Sequence, residues 1–255
     1  SGNKEFASKI EDQYKNVKCI LSSKNLGMGA GNNLGLKHIK TDYAFILNPD
    51  VILKKNTIEE IIIASKKIDN FGLIAPISDD LKNPNYIINK KSELPNFIDP
   101  FKVESVDGFA MILNLRKLKK VDQFKDNNFF DENIFLYLEN DDLCKRIRKY
   151  ENIFIVPKSK INHLGASGVN KKYSEQIELS RNWHWIWSKF YFNKKHYSFI
   201  KAFFECFPSF LSAILKVLFY FLINSKKKGI YLHRVLGFLN ALLGKKSYHR
   251  PKINN

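Results

Sequence analysis

Short apolar runs alternate along the chain with amphipathic stretches, and this alternation is expected of an α/β fold. Five runs predict strands, at residues 17–21, 43–47, 71–76, 105–113 and 153–156, with Pro157 ending the last. Four stretches with helical spacing predict helices, at residues 4–14, 32–39, 57–68 and 143–150. Thr57 and Glu60 have capping-box spacing. The run at 43–47 is apolar throughout, which is typical of a strand buried on both faces of a sheet.

The C-terminal part of the chain has a different pattern. Residues 199–223 are strongly apolar, but Lys201, Glu205, Pro208 and Lys216 interrupt them. A membrane-spanning helix needs about 20 mostly apolar residues. The pattern therefore favours a pair of interfacial helices over a span, with the second helix at residues 230–243. A helical subdomain packed on the core is the alternative, but it leaves the basic charge of this region unexplained.

Charge is concentrated in the same region. The chain has 255 residues and a formal net charge of +17. Residues 194–255 contain twelve lysines and arginines against one acidic residue, Glu205. Basic, aromatic and aliphatic residues mixed in this way favour an anionic membrane surface over nucleic acid as the partner. The three cysteines are scattered and odd in number, which favours a reducing compartment.

Candidate chemistry begins with a glycine-rich loop, NLGMGAGNNLGL, which leads through a helix to the strand at 43–47. Asn48, Pro49 and Asp50 follow that strand directly. Open α/β sheets bind ligands at the carboxyl ends of their strands, so Asp50 is a candidate site residue. A simple turn and cap is the alternative. The candidate ligand-binding residues of this stretch are Asn25, Gly27, Asn32, Asn33, Asn48 and Asp50.

The loop NLGMGAGNNLGL followed by FILNPDV resembles the family 2 glycosyltransferases, in particular their bacterial rhamnosyltransferase-like branch. The resemblance implies a GT-A-like, mostly parallel sheet with flanking helices, from which the first βαβ unit is expected to be missing here. It places Asp50 in a D-x-D-type motif that holds Mg²⁺ or Mn²⁺ on a nucleotide-sugar donor. It also places Gly108 beside the donor sugar, and His163, in the turn HLGAS, at the metal or diphosphate.

The segment ENDDLCKR at residues 139–146 resembles the family motif E-D-x-D-L-x-x-R. A carboxylate of that motif acts as the catalytic base in the family. Asn140 stands at the second position, and an amide cannot act as a base. Glu139 and Asp142 are therefore the first candidates, and Asp141 is the third. A plain helix cap made by these carboxylates is the alternative reading.

Arg181, Trp183 and Trp187 are the candidates for acceptor binding. The two tryptophans are four residues apart and share a helical face. Aromatic rings of this kind suit both a sugar face and a membrane interface. Packing of the two rings against the domain is the alternative.

Together these features predict two parts, a glycosyltransferase domain at residues 1–193 and a basic, membrane-associated helical tail at 194–255. The predicted activity is inverting, metal-dependent transfer of a hexose, with rhamnose the expected sugar. The acceptor would be a lipid-linked saccharide of envelope polysaccharide, at the cytoplasmic face of the inner membrane, with the protein bound peripherally. A degenerate, non-catalytic partner protein is the alternative, favoured by Asn48 and Asn140. A nucleic-acid-binding protein is a further one, but no such motif is present.

Overall fold

A computed structural model describes residues 3–80, 82–89, 95–165 and 171–251. Helices and strands alternate through its first two thirds, and three long helices complete it. The helices are α1 (Lys4–Gln13), α2 (Met28–Leu36), α3 (Thr57–Lys67), α4 (Leu115–Leu118), α5 (Glu139–Ile147), α6 (Ser174–His196), α7 (Phe199–Leu222) and α8 (Lys227–Leu242). The strands are β1 (Tyr43–Leu47), β2 (Val51–Leu53), β3 (Phe71–Ser78), β4 (Tyr86–Ile87), β5 (Phe101–Lys102), β6 (Ser105–Val106), β7 (Ala110–Asn114) and β8 (Asn152–His163).

The main sheet has the strand order β1-β7-β3-β8-β2, and β5 also pairs with β8. The prediction of a mostly parallel sheet is wrong, because β3 and β8 form the one parallel pair that the described strands make. Strand β7 lies between β1 and β3 and is antiparallel to both. Consequently β1 and β3 still run in one direction, and the ends of β1 and β8 lie near the turn that enters β7.

Several local predictions need correction. Strand β1 is an edge strand, with Tyr43 and Leu47 exposed, so it is not buried on both faces. Residues 17–21 have no regular secondary structure, so the strand predicted there is not formed. Pro157 lies within β8, where the register against β3 shifts, and it does not end the strand. Thr57 donates its hydroxyl proton to the carbonyls of Lys54 and Lys160, so it makes no capping box.

The central core joins the sheet to α5. Leu143, Cys144 and Ile147 of α5 are fully buried against Leu73 and Ile155 of the sheet. These three residues recur at helical spacing, so one face of α5 is apolar and the opposite face can carry polar side chains. The first turn of α5 carries Glu139, Asp141 and Asp142, and this packing therefore determines where the three carboxylates lie.

The last three helices form a second core. Trp183, Ile186, Trp187 and Phe190 of α6 are buried against α7 and α8. Since α6 continues unbroken to His196, the predicted boundary between residues 193 and 194 falls inside a helix.

Helix α7 is continuous through Pro208. Together α7 and α8 correspond to the two helices predicted at residues 199–223 and 230–243. Its buried residues are Ala202, Cys206 and Ala213. The opposite face carries a stripe of exposed apolar side chains with helical spacing: Ile200, Phe204, Phe207, Leu211, Leu215, Leu218 and Leu222. By length and composition, α7 is the one described helix able to cross a membrane, and 17% of its apolar window is buried.

Candidate active site

A cleft of about 780 Å³ opens between the sheet, the N-terminus of α5 and α6. Its lining comes from segments that are distant in sequence, namely the end of β1, the turn before β7, the first turn of α5, and α6. Helix α6 contributes the aromatic rings of Trp185 and Phe192 and the polar side chains of Lys189 and Asn193. The other segments contribute Asn48, Asp107, Gly108, Glu139, Asn140 and Asp141.

Asp50 and His163 lie together beside this cleft. Val51, which follows Asp50, pairs with His163 in the antiparallel ladder of β2 and β8. As a result, His163 Nε2 lies 3.4 Å from Asp50 Oδ2. Phe109 of the cleft wall stacks on the imidazole with ring centroids 4.0 Å apart, and its carbonyl accepts the N–H of Asn48. The structure therefore brings together the two residues predicted to hold a metal.

The pair suits a cation that takes its remaining ligands from a substrate. Among the described residues, no group of three or more His, Cys, Asp and Glu could hold a metal ion. A resident ion with an all-protein shell would need such a group. Catalytic Mg²⁺ commonly binds one or two protein ligands and completes its shell with water and phosphate oxygens. One carboxylate and one imidazole fit that pattern, and the nitrogen ligand favours Mn²⁺ over Mg²⁺.

Glu139 is the first residue of α5 and is 5% exposed. Its Oε2 is buried and has no hydrogen-bond partner among the described residues. Burial, with a smaller contribution from the charge of Asp141, raises the pKa of this carboxyl to about 7. A carboxylate with a pKa near neutrality and an unused oxygen in a cleft has the properties of a general base.

Two further carboxylates share the cleft. Asp141 accepts a hydrogen bond from the hydroxyl of Ser105 at 2.5 Å. Burial raises the pKa of Asp141, and it also raises the pKa of Asp107, to which the Asp141 charge adds. His163 lowers the pKa of Asp107 in opposition to these effects. Asp107 therefore interacts electrostatically with both Asp141 and His163.

Asp142 does not face the cleft, and the prediction that it is a catalytic candidate is wrong. Its carboxylate is fully buried and contacts three basic side chains, two of them cationic. The distances are 2.8 Å to Arg146 Nε, 2.6 Å to Lys195 Nζ and 2.8 Å to His196 Nε2. Because Lys195 and His196 belong to α6, Asp142 connects the two cores of the molecule.

The chain enters α5 through an unusual backbone. Tyr137 and Leu138 have φ values of 70° and 66°. Side chains other than glycine rarely adopt this left-handed conformation, which costs about 1–3 kcal/mol and is concentrated at functional sites. Both residues line the cleft, so the strain lies where the first turn of α5 is positioned.

Residues 28–36 of the glycine-rich segment form the whole of α2, so this segment is not a free phosphate cradle. Gly27 precedes α2 with φ 82°, and a Cβ there would lie 2.3 Å from the carbonyl oxygen of Phe135. Close packing against backbone therefore requires glycine at position 27. A Cβ on Gly108 would meet only the terminal methyl of Met28 at 2.2 Å, and this flexible side chain could move aside.

The three loop asparagines have separate environments. Asn33 is fully buried, exchanges hydrogen bonds with the backbone of Phe130 and bonds the Glu132 carboxylate, so its predicted donor-binding role is wrong. Asn32 contacts the sulfur of Met28. Asn25 accepts the N–H of Gly27 and is exposed.

The predicted acceptor platform is wrong for Trp183 and Trp187. These indoles are 1% and 2% exposed and belong to the core between α6, α7 and α8. Arg181 lies near the cleft, where its charge lowers the pKa of Tyr137 against the larger upward effect of burial. Trp185, which sequence reasoning missed, is the α6 tryptophan that faces the cleft.

Sequence reasoning also missed Asp107 and Tyr137. The signal for Asp107 was its position before Gly108 in the predicted strand at 105–113, which the structure divides into β6, a turn and β7. Tyr137 carried no such signal, because its position depends on an unusual φ value that its residue type does not predict.

Comparison with known proteins agrees with the predicted family. Residues 2–121 match the family described as "Glycosyl transferase family 2". The chain is 27% identical over 143 residues to "Rhamnosyltransferase WbbL" of Escherichia coli (strain K12). That alignment covers 48% of this chain and 54% of WbbL, so the chain spans about half the length of this curated relative.

Two solved structures share the fold. The mannosyltransferase PcManGT from Pyrobaculum calidifontis, in complex with GDP-Man and Mn²⁺, aligns with a TM-score of 0.50 and 11% identity, over 96% of this chain and 76% of its own. GalNAc-T7, with UDP, GalNAc and Mn²⁺, aligns with a TM-score of 0.51 and 13% identity, over 76% of this chain and 42% of its own. These alignments confirm the GT-A-like α/β fold.

Proposed function

We propose that this chain, in which residues 2–121 match glycosyl transferase family 2, is an inverting hexosyltransferase of that family. It moves a sugar, with rhamnose the first candidate, from a nucleotide diphosphate to a lipid-linked saccharide of envelope polysaccharide. The observation that carries this proposal is the juxtaposition of two features at one cleft: the Asp50–His163 pair lies beside the cleft, and Glu139, which has an unpaired oxygen, lines it. The Asp50–His163 pair could hold a cation against a negatively charged leaving group. The free oxygen of Glu139 could accept the proton of a hydroxyl nucleophile.

Asp50 and His163 are the residues that would hold a divalent cation. When bound, such a cation neutralises the charge that develops on a diphosphate leaving group. The backbone N–H of Asn48 is already used by Phe109, so the contribution of Asn48 to donor binding would come from its side chain. Gly108 keeps the space in front of α5 open for the sugar, since any side chain there meets Met28.

Glu139 is the residue we assign as general base. Its carboxylate takes the proton of an acceptor hydroxyl as that oxygen attacks the anomeric carbon. The bond from the anomeric carbon to the diphosphate breaks on the opposite side, and the nucleoside diphosphate leaves with the bonding electrons. One displacement of this kind inverts the configuration at the anomeric carbon. Asp141 is the competing base, but its carboxylate is already held by Ser105.

Helices α7 and α8 are proposed to hold the cleft at an anionic membrane surface. The exposed stripe of α7 lies opposite its protein-packed face, so lipid contact on that side alone leaves the existing packing intact. Exposed leucines of α8 (Leu232, Leu236, Leu239 and Leu243) continue the apolar surface. A helix with one lipid face and one protein face is suited to lie in the interface, which favours peripheral binding over a span.

A degenerate, non-catalytic protein is the second candidate. Asn140 occupies the position of the family's carboxylate and donates its side-chain N–H to the carbonyl of Val106 at 2.8 Å. The amide is therefore used structurally. This candidate predicts that the cleft binds no nucleotide in a metal-dependent way.

Calorimetric titration of the purified chain with UDP and dTDP, with and without Mn²⁺, tests the proposal. We expect binding of one nucleotide that requires Mn²⁺. Release of nucleoside diphosphate on addition of a lipid-linked saccharide acceptor would then establish transfer. Binding of neither nucleotide, in a chain that includes any preceding native sequence, would favour the non-catalytic protein.

A further inference from the structure

A second cavity, of about 500 Å³, lies on the other side of α6 from the active-site cleft. Trp185, Lys189 and Phe192 of α6 line the cleft. Trp187, Tyr191 and Lys194 line the second cavity, which we call the lysine cavity. At 100° per residue, these two sets occupy opposite faces of the helix. The two cavities share no lining residue, so the lysine cavity is separate from the proposed transfer site.

Positive charge dominates the lining of the lysine cavity. Lys194 and Lys195 come from the end of α6, and Lys245 and Lys246 follow α8. No carboxylate lines the cavity among the described residues. Lys195 is neutralised by ion pairs with Asp131 and Asp142. Lys194, Lys245 and Lys246 form none of the ion pairs found in the described part of the chain.

The remaining wall is aromatic, and its polar atoms are already used. Trp187 and Tyr191 stack with ring centroids 5.0 Å apart. The indole N–H donates to Asn240 Oδ1 and the carbonyl of Lys245, and the phenol donates to Asp131. Tyr191, which is partly exposed and stacks on the buried Trp187, therefore offers apolar surface to a ligand, and the three unpaired lysines offer positive charge. A ligand that satisfies both has an anionic group attached to an apolar body.

The position of the cavity indicates where such a ligand comes from. Phe190, in its wall, packs edge-on against Phe199 at the start of α7 and Phe238 near the end of α8. Exposed Ile200 and Phe204 begin the α7 stripe at this end of the helix pair, and Leu239 and Leu243 end the α8 stripe there. The cavity thus lies at the same end of the helix pair as these apolar side chains.

We propose that the lysine cavity binds the phosphate headgroup of an anionic membrane phospholipid, with the acyl chains running along the apolar ends of α7 and α8. The separation from the cleft argues against the diphosphate of a lipid-linked acceptor, which has to reach the transfer site. Binding here requires no transfer reaction and would orient the protein on the bilayer.

The test uses lipids that are monomeric in solution, so that general attraction to a charged surface does not contribute. Dihexanoyl phosphatidylglycerol, below its micelle concentration, is titrated calorimetrically into the full chain. The cavity variant carries Lys194→Gln, Lys245→Gln and Lys246→Gln. The matched control carries Lys226→Gln, Lys227→Gln and Lys228→Gln, which removes the same charge at the opposite end of the helix pair. Circular dichroism verifies that both variants fold.

We expect saturable binding that weakens on the order of 100-fold in the cavity variant, at about fivefold per lysine, and is unchanged in the control. Equal losses in both variants, or no binding, would overturn the site. Equal affinity for dihexanoyl phosphatidylcholine would overturn the requirement for negative charge. Inorganic phosphate binding as tightly would overturn the lipid assignment, and tighter binding of geranyl diphosphate would reassign the cavity to the acceptor lipid.

Discussion

The imidazole of His163 lies 3.4 Å from the carboxylate of Asp50, although the two residues are far apart in the sequence. Strand pairing produces this contact, because Val51 and His163 are opposite each other in the ladder of β2 and β8. The backbone register of the two strands therefore holds the side chains together, and the contact is not a chance meeting of two flexible surface side chains. One carboxylate and one imidazole next to a polar cleft are the elements on which the proposed donor site depends.

Replacing Asp50 with Asn tests that donor site. The substitution keeps the shape of the side chain but removes the anionic ligand, so we expect Mn²⁺-dependent binding of UDP or dTDP to be lost. Calorimetry with and without Mn²⁺ measures this. Asp79→Asn is the matched control, because Asp79 is a partly exposed carboxylate that pairs with Lys54 outside the cleft. Unaltered metal-dependent binding in the Asp50 variant would remove Asp50 from the site.

Glu139 should control the pH dependence of turnover. A base works only when it is deprotonated, and burial raises the pKa of Glu139 to about 7. Activity should therefore rise with pH through about 7 and level off above it. Glu139→Gln should lower kcat by roughly 10²–10⁴-fold at pH 8. Asp141→Asn serves as the comparison, and a larger loss in that variant would identify Asp141 as the base.

The raised pKa of Glu139 should also make stability fall with rising pH, whereas activity rises. Between its ordinary pKa of 4.5 and the raised value of about 7, Glu139 binds a proton in the folded chain that the unfolded chain has released. The free energy of unfolding contributed by this group therefore falls as pH rises through that window. Glu139→Gln should consequently raise the melting temperature at pH 8 but not at pH 4. A lower melting temperature at pH 8 would indicate that the carboxylate is stabilised by a partner.

Removing the charge of Asp142 should lower the melting temperature, in contrast to Glu139. Its buried carboxylate pairs with Arg146 and Lys195, so Asp142→Asn leaves the buried Arg146 without its anion and Lys195 with Asp131 alone. Loss of one partner from a buried ion pair costs about 3–5 kcal/mol, which corresponds to a fall in melting temperature of roughly 10 °C for a chain of this size. Asp122→Asn, at an exposed ion pair with Lys125, should cause no measurable change. Thermal unfolding followed by circular dichroism compares them, and equal stability of the two variants would contradict the connecting role of Asp142.

The contrast between Glu139 and Asp142 shows what local sequence can predict. Both carboxylates were expected at the start of one helix, and both are in its first turn. Their different roles depend on α6, whose Lys195 and His196 reach Asp142 but not Glu139. No spacing within residues 139–146 contains that information. The same limit applies to Trp183 and Trp187, whose shared face was predictable but whose burial under α7 and α8 was not.

Secondary structure was predictable where the pattern is local. The helix at 57–68 and the strands at 43–47 and 71–76 are close to the observed α3, β1 and β3. Sheet direction was not predictable, because it depends on β7 inserting between β1 and β3 from a distant part of the chain. The proximity of Asp50 and His163 was expected from the family resemblance, and the register of β2 and β8 is its physical cause.

Gly27 should tolerate no side chain. Its φ of 82° disfavours other residues, and a Cβ would lie 2.3 Å from the Phe135 carbonyl oxygen, just before the strained entry to α5. Gly27→Ala should therefore lower both the melting temperature and nucleotide affinity. Gly31→Ala is the matched control, because a Cβ there meets nothing within 4 Å and alanine favours the helix. If both variants unfold at the same temperature, close packing at Gly27 is not important.

The apolar stripe of α7 should determine membrane binding. Phe204 and Leu211 are 69% and 47% exposed, and each would lose about 1.5–3 kcal/mol of burial in lipid on replacement by serine. Cosedimentation with anionic vesicles should therefore weaken on the order of 100-fold or more in the double variant Phe204→Ser, Leu211→Ser. The control replaces Ile58 and Ile62, which are similarly exposed on α3, and should bind normally. Release of the wild-type chain from vesicles by alkaline carbonate would support a helix that lies in the interface. Retention after that treatment would instead indicate that α7 crosses the bilayer.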